Sequence, residues 1–204
     1  MEIDERIIAA AGALFMKYGT RSVTMDDIAR ELSVSKKTIY QYYKDKDEIV
    51  TLASAMQIEQ DKKEFDEVFE TSGSAIEEMV KISQCLRKMV REINPSLLYD
   101  LQKYHKKAWD LYLDYKTSYI KNSVASNLKR GIEEGYYRND INPEIMAAYR
   151  VEQVQMAFDD KIFSRSEFDF KEVHMQLFDH FLHGLLTDKG RKLHQAHQLK
   201  NGNQ

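Results

Sequence analysis

The sequence contains little proline, glycine or cysteine. Of its 204 residues, two are proline, eight are glycine and one is cysteine. Architectures rich in β-turns need more of the residues that interrupt regular structure, so an all-α fold is favoured. The single cysteine, Cys85, cannot form a disulfide within the chain, which argues against a disulfide-stabilised secreted protein.

The sequence also lacks an apolar run of about 18 residues, so no membrane-spanning helix is expected. Its first residues mix acidic with apolar side chains, whereas a signal peptide has a basic start and an uninterrupted apolar stretch. Together these absences predict a cytoplasmic protein with no membrane partner.

Positive charge is concentrated in one short segment. The whole chain has a formal net charge of −3, and residues 1–46 contain 8 Lys and Arg against 7 Asp and Glu. Within residues 33–46, however, four lysines face a single aspartate. If the chain binds a nucleic acid, we expect the contact in this segment.

Two short helices with N-terminal capping signals follow each other between residues 24 and 43. Thr24 with Asp27 three residues later resembles a capping box, and Ser35 is a good second N-cap. Only residues 33–35 separate the two helices, which is too few for an irregular loop. This arrangement predicts a helix-turn-helix whose second helix begins at about residue 36.

Apolar periodicity predicts helices in the rest of the chain. We expect them at 5–18, 47–69, 74–93, 143–163 and 169–187, with a short and a long helix over 96–133. Asp4 is the expected N-cap of the first, Gly19 its end, and Asn142-Pro143 the start of the penultimate one. The tail from His197 to Gln204 is expected to be frayed.

The pattern resembles the TetR family of bacterial transcriptional regulators. The resemblance is carried by Thr24–Ala29, Val34–Tyr40, the Tyr40-x-x-Tyr43-x-x-Lys46 end and, farther along, Gly131–Arg138. It implies an N-terminal three-helix DNA-binding domain at 1–46 and a larger helical domain for ligand binding and dimerisation at 47–204. Two residues depart from the family: Ser33 stands where glycine is usual, which implies strain in the turn, and Lys37 where a small residue is common.

The second helix of the motif is expected to enter the major groove of double-stranded DNA. Ile39 and Tyr43 share one face and should point into the domain core. Lysine and glutamine can read guanine and adenine edges, whereas Tyr40 and Lys46 are assigned to phosphates by the resemblance. The full set of predicted DNA-binding residues is Thr24, Ser35, Lys36, Lys37, Thr38, Tyr40, Gln41, Tyr42 and Lys46.

The larger domain contains an aromatic cluster that has two interpretations. One is a mostly apolar pocket for a small effector, and the other is ordinary helix packing. The candidate pocket residues are Tyr104, Trp109, Tyr112, Tyr115, Gln153 and Met156.

The last long helix has an apolar surface too broad for one buried stripe, which predicts a homodimer. The candidate interface residues are Val173, Leu177, Phe178, Phe181 and Leu185. With this dimer the chain is expected to bind a pseudo-palindromic operator and to act as a repressor that an apolar or aromatic effector releases.

Two other functional classes are alternatives to a DNA-binding regulator. A helical protein-interaction module without sequence-specific DNA binding is the alternative. An enzyme is disfavoured because no catalytic motif is present, and we expect no metal site and no cofactor.

Overall fold

The computed structural model describes residues 2–201, with side chains described through residue 197. Its helices confirm the all-α prediction. In chain order they are α1 (Ile3–Tyr18), α2 (Met25–Leu32), α3 (Lys36–Tyr42), α4 (Lys46–Thr71), α5 (Ala75–Glu92), α6 (Leu97–Tyr104), α7 (Lys106–Asp114), a π-helical segment (Tyr115–Ile120), α8 (Lys121–Glu133), α9 (Pro143–Met156), α10 (Phe170–Leu185) and α11 (Asp188–Asn201). Within the described residues, no helix is both long and apolar enough to cross a membrane.

The chain divides into two compact units. Unit 1 comprises Met1–Lys62 and Glu92–Tyr115, and unit 2 comprises Lys63–Arg91 and Lys116–Gln204. This division by compactness places the first part of α4, together with α6 and α7, in the same unit as the helix-turn-helix. The functional boundary predicted after residue 46 stays a prediction.

The first helix of unit 1 begins two residues earlier than expected. The N-cap is Glu2, not Asp4, because the Glu2 backbone N–H donates to Glu5 Oε2 at 3.2 Å. Of the apolar stripe that periodicity predicts, Ile7, Ala11 and Phe15 are buried and Leu14 is half-buried, but Tyr18 is exposed. The helix ends as expected at Gly19, which has φ 78°.

Three predicted helix boundaries in the second half of the chain are wrong. The short and the long helix expected over 96–133 meet at His105, but the long one is interrupted by the π-helical segment. The penultimate predicted helix ends at Met156 instead of residue 163, and turns follow it. The tail is helical as far as Asn201, where fraying was expected, and residues 202–204 lie outside the described residues.

The core of unit 2 forms around the loop after α8. Tyr137 is buried, and its hydroxyl lies 3.0 Å from Asn127 Oδ1 and 3.3 Å from the Ala75 carbonyl oxygen. Gly131 makes room for this ring, since a Cβ there would lie 2.1 Å from Tyr137 Cδ2. The surrounding core residues are Ala75, Ile76, Met79, Ala125, Leu128, Ala147, Phe178, Phe181, Leu182, Leu185 and Leu186.

We therefore expect Gly131→Ala to destabilise the protein by about 1–3 kcal/mol, because the methyl group collides with a fully buried ring. Gly184→Ala is the matched control. A Cβ at Gly184 meets no atom within 4 Å, so this change should be neutral or stabilise α10 by about 0.5–1 kcal/mol. Chemical denaturation of both variants measures the difference, and equal stability of the two would contradict the packing argument.

Candidate nucleic-acid interface

Both helices of the helix-turn-helix begin with the predicted caps. The Thr24 backbone N–H donates to Asp27 Oδ2 at 2.9 Å, and Asp27 N–H donates back to Thr24 Oγ1 at 3.2 Å, which completes a capping box. The hydrogen bonds from Thr24 lower the pKa of the Asp27 carboxyl. At the second helix, Ser35 Oγ accepts from Thr38 N–H at 3.0 Å. The caps fix where α2 and α3 start.

Two side chains anchor α3 against the rest of unit 1. Ile39 is completely buried, and Tyr43 at the C-cap is 9% exposed. The Tyr43 hydroxyl donates to the Asp4 carbonyl oxygen at 2.9 Å, which connects the end of α3 to the start of α1. Burial raises the pKa of this hydroxyl, so it keeps the proton that it donates. The inward direction predicted for Ile39 and Tyr43 is confirmed.

With that face buried, the other faces of α3 point outward. Lys36, Lys37, Tyr40, Gln41 and Tyr42 are exposed, and Thr38 is half-buried. The two tyrosines are about half exposed, 48% for Tyr40 and 46% for Tyr42. The surface therefore combines cationic, amide and phenol groups, the donors and acceptors that read base edges and bind phosphates.

Four of the predicted contact residues already have partners within unit 1. Lys36 Nζ forms an exposed ion pair with Asp26 Oδ2 at 2.8 Å. The Thr24 hydroxyl donates to Asp27 Oδ2 at 2.6 Å. The Ser35 and Thr38 hydroxyl oxygens lie 2.8 Å apart. Lys36 must therefore exchange a weak surface pair for a DNA contact, whereas Lys37 and Gln41 have none of these competing bonds.

Lys46 already forms a hydrogen bond within unit 1, which its assignment to a phosphate did not anticipate. Its ammonium donates a hydrogen bond to the Thr20 carbonyl oxygen, and burial lowers its pKa. Asp100 accepts hydrogen bonds in the same region, from Thr20 Oγ1 at 3.5 Å and from Arg21 N–H at 3.4 Å. An ammonium carries three N–H donors, so the bond to Thr20 does not use all of them. The phosphate contact stays a prediction.

The six candidate pocket residues fall into both units. In unit 1, Tyr104 is exposed, Tyr115 is buried, and the rings of Trp109 and Tyr112 lie 5.2 Å apart. In unit 2, Gln153 is buried and Met156 is half-buried. Whether any of these residues bind an effector stays a prediction.

The candidate dimer residues on α10 are largely buried within one chain. Val173, Phe178, Phe181 and Leu185 are 7%, 2%, 4% and 1% exposed, and only Leu177 is half-buried. Packing within one chain also explains the broad apolar surface of α10, which was not predicted from the sequence. The next helix, α11, follows α10, and Leu193 of α11 packs against the same core. Four of the five residues therefore have little surface to offer a partner.

Comparisons with known proteins agree with this geometry. Residues 7–53 match the family of bacterial regulatory proteins called tetR. Over 197 residues the chain is 30% identical to the uncharacterized HTH-type transcriptional regulator YvaF of Bacillus subtilis, a match that covers 92% of this chain and 97% of YvaF. The chain belongs to the TetR family. It is a DNA-binding transcription regulator and not an enzyme.

Solved structures of TetR-like regulators share the fold. The TetR family regulator from Agrobacterium tumefaciens superposes with a TM-score of 0.75 at 13% identity, covering 90% of this chain and 97% of that one. A transcriptional regulator from Saccharomonospora viridis, solved in complex with choline, gives 0.71 at 19% identity, covering 90% and 97%. At these identities the likeness shows the architecture alone.

The departure of this TetR family member at Ser33 has the expected backbone consequence. Ser33 adopts the left-handed conformation, with φ 56° and ψ 38°, and is the one non-glycine residue with positive φ among those the structure describes. Its N–H donates to Arg30 O at 3.1 Å, and Val34 N–H donates to Ala29 O at 3.0 Å, so the helix end is satisfied despite the strain.

We expect Ser33→Gly to stabilise the protein by about 0.5–1 kcal/mol, because glycine adopts this conformation without the Cβ penalty. Since the Ser33 side chain is not among the predicted contacts, operator affinity should not change. Thermal unfolding and a DNA-binding titration test both points. A loss of stability would mean that the Ser33 hydroxyl contributes more than its backbone strain costs.

Proposed function

We propose that this TetR family regulator is a homodimeric repressor that binds a pseudo-palindromic operator through α3 and leaves it when a small effector binds. The observation that carries the proposal is the one-sided burial of α3. Ile39 and Tyr43 hold one face in the core, and the opposite faces present Lys37, Tyr40 and Gln41 to solvent. A helix held in this way can enter a major groove without rearranging.

Within this proposal, the residues of α3 divide into two roles. Lys37 and Gln41 lie four apart on an exposed face and suit guanine and adenine edges. Lys36, Thr38 and Tyr42 flank them as further base contacts. Tyr40 and Lys46 bind phosphates, as do the hydroxyls of Thr24 and Ser35 once they exchange their present partners.

For the homodimer, α9 offers exposed apolar residues that could contact a partner, whereas those of α10 are largely buried. Ile145 and Tyr149 lie four apart on one side of α9 and are 61% and 46% exposed. The Tyr149 ring lies 6.4 Å from that of Phe181 on α10, so this surface continues to the neighbouring helix and toward Leu177. We place the dimer contact at Ile145, Tyr149 and Leu177, and keep Phe181 as the core beneath it.

The effector part of the proposal rests on the family architecture and on buried polar groups in unit 2. The fold accommodates a small molecule in at least one similar structure, the choline complex from Saccharomonospora viridis. In this chain the buried, unpaired Gln153 amide marks one end of a candidate site. An effector that favours a splayed dimer would weaken operator binding, and the operator would weaken effector binding by the same factor.

The DNA assignments predict different effects for two lysines. Lys37→Ala should cost about 1–3 kcal/mol of operator affinity and relax the preference at particular base pairs. Lys46→Ala should weaken binding to all sequences alike and lower the salt slope by about one. Lys192→Ala removes the same charge from an exposed position of α11 and is the control. Fluorescence anisotropy with the upstream region of the gene, across a salt series, measures all three.

If the salt slope of Lys46→Ala equalled that of the wild type, Lys46 would not contact a phosphate. Its role would then be the structural hydrogen bond to the Thr20 carbonyl oxygen. If the wild type bound no DNA fragment with a salt-dependent affinity, the proposed operator binding itself would be wrong. The helix-turn-helix would then serve a protein partner.

The interface assignment predicts that Tyr149→Glu gives a monomer that remains folded, because the charge is placed on an exposed face. Light scattering should report twice 23.9 kDa for the wild type and half of that for the variant. Ile162→Glu changes another half-exposed apolar residue of unit 2 and should stay dimeric. In contrast, Phe181→Ala should lower the stability of the fold by about 3–5 kcal/mol. A dimeric Tyr149→Glu protein would place the interface elsewhere.

A further inference from the structure

Unit 2 contains a buried cation without an acidic partner. Arg150 on α9 is 7% exposed, and its guanidinium lies over the rings of Phe178 and Phe181, 5.1 Å and 5.7 Å from their centroids. Among the described residues, no Asp or Glu forms an ion pair with it. Burial lowers the pKa of the guanidinium to about 10, with no opposing effect of a nearby carboxylate.

The acidic residue nearest to Arg150 in sequence already forms an ion pair with another residue. Glu152 lies two residues away, on another side of α9, and its Oε1 pairs with Lys116 Nζ at 2.9 Å. Lys116 is itself buried, so this second buried cation has the partner that Arg150 lacks. Burying a charge costs free energy unless a counter-charge and hydrogen bonds accompany it. Contacts with aromatic rings alone replace neither the counter-charge nor the hydrogen bonds.

Two further buried polar side chains near Arg150 also lack partners. Gln153, one helical turn along α9, is 2% exposed, and neither its Nε2 nor its Oε1 forms a hydrogen bond. His174 on α10 is 8% exposed, and its Nε2 has no partner. Arg150 lies close enough to His174 to help lower its pKa to about 4, after the larger effect of burial, so the imidazole is neutral near pH 7.

The surroundings of these groups are aromatic. The rings of Phe158 and Phe170 meet that of His174 edge to face, with centroids 4.9 Å and 4.6 Å apart. Together with Phe178 and Phe181 they give an apolar environment around the Arg150 cation and the neutral His174 ring. Buried polar groups are almost always hydrogen-bonded in folded proteins, so the unsatisfied atoms of Gln153 and His174, next to a guanidinium without an ion pair among the described residues, point to a missing partner.

We propose that Arg150, Gln153 and His174 bind the carboxylate of an apolar monocarboxylic acid, and that this acid is the effector. The guanidinium offers the planar pair of N–H donors that matches a carboxylate, and the Gln153 amide and the His174 ring supply further hydrogen bonds. This inference rests on the proposed function, because it names the chemical class of the effector. It replaces a purely apolar effector with an amphipathic one.

The charge balance favours a carboxylate over a phosphate. One guanidinium compensates one negative charge, and the neutral His174 adds none. A phosphate monoester carries close to two charges at pH 7 and would remain partly uncompensated among phenylalanine rings. The apolar surroundings suit an alkyl or aryl body next to the acid group.

The first test compares matched compounds on the full-length protein. The probes are sodium decanoate and 4-phenylbutyrate, the primary amide of each, and decyl phosphate. We expect the two carboxylates to raise the melting temperature in a concentration-dependent way and the amides to have no effect. Stabilisation by the amides as strongly as by the acids, by decyl phosphate alone, or by no compound would overturn the proposal.

The second test uses substitutions of Arg150. Arg150→Met should weaken carboxylate binding about tenfold to a hundredfold and should leave the ligand-free melting temperature unchanged or raised, since it removes an uncompensated buried charge. Arg150→Lys should retain part of the carboxylate response. Arg138→Met, at an exposed arginine of the same unit, is the control and should respond as the wild type does. A ligand-free Arg150→Met protein that melts at a much lower temperature would show that Arg150 is a structural group, which overturns the proposal.

Operator release separates this inference from the proposed function. If the protein binds its operator and the amides release it while the acids do not, the ligand-responsive repressor stands and the carboxylate assignment fails. If the protein binds no operator but the acids still stabilise it through Arg150, the carboxylate site stands and the repressor proposal fails.

Discussion

The fixation of α3 is the constraint on which DNA recognition depends. A helix of seven residues is not stable alone in water, because it forms too few hydrogen bonds to offset the cost of nucleation. Here the caps at Thr24 and Ser35 set the starts of α2 and α3, and Ile39 with Tyr43 sets the rotation of α3. The hydrogen bond from the Tyr43 hydroxyl to the Asp4 carbonyl oxygen adds α1 to the contacts that hold α3 in place. The outward face of α3 is thus decided by what is buried on its inward face.

Unit 2 shows a similar dependence on one buried contact. Tyr137 fills the space that Gly131 leaves open, and its hydroxyl joins Asn127 and Ala75 at the start of α5. The same unit contains two buried cations with opposite surroundings. Lys116 has Glu152 as a partner, whereas Arg150 has rings around it and no acidic partner among the residues that the structure describes. The proposed carboxylate site depends on this unpaired cation, because a buried charge is costly without a counter-charge.

Much of the helix-turn-helix could be predicted from the sequence because its signals are local. A cap, an apolar residue four positions along and a three-residue turn lie within 20 residues of one another, so Thr24, Ser35 and Ile39 indicated their roles directly. The strain at Ser33 was implied by the family resemblance, because glycine is usual at that position. The interruption at 115–120 and the helix end at 156 were missed, because apolar residues continue at helical spacing beyond both points.

The sequence by itself determined the all-α class, the caps of α2 and α3 and the exposed face of α3, since each depends on residues close together in the chain. Tertiary structure alone decided which apolar residues are core and which are surface. Phe181 was predicted at the dimer interface, yet it is buried, because α9 and α11 pack against α10, whereas Tyr149, which was not predicted there, is half exposed. It also decided that Arg150, one charge on an apolar helix face, lies among phenylalanines with no acid beside it. Burial and pairing depend on segments distant in sequence, and no local pattern records which segments meet.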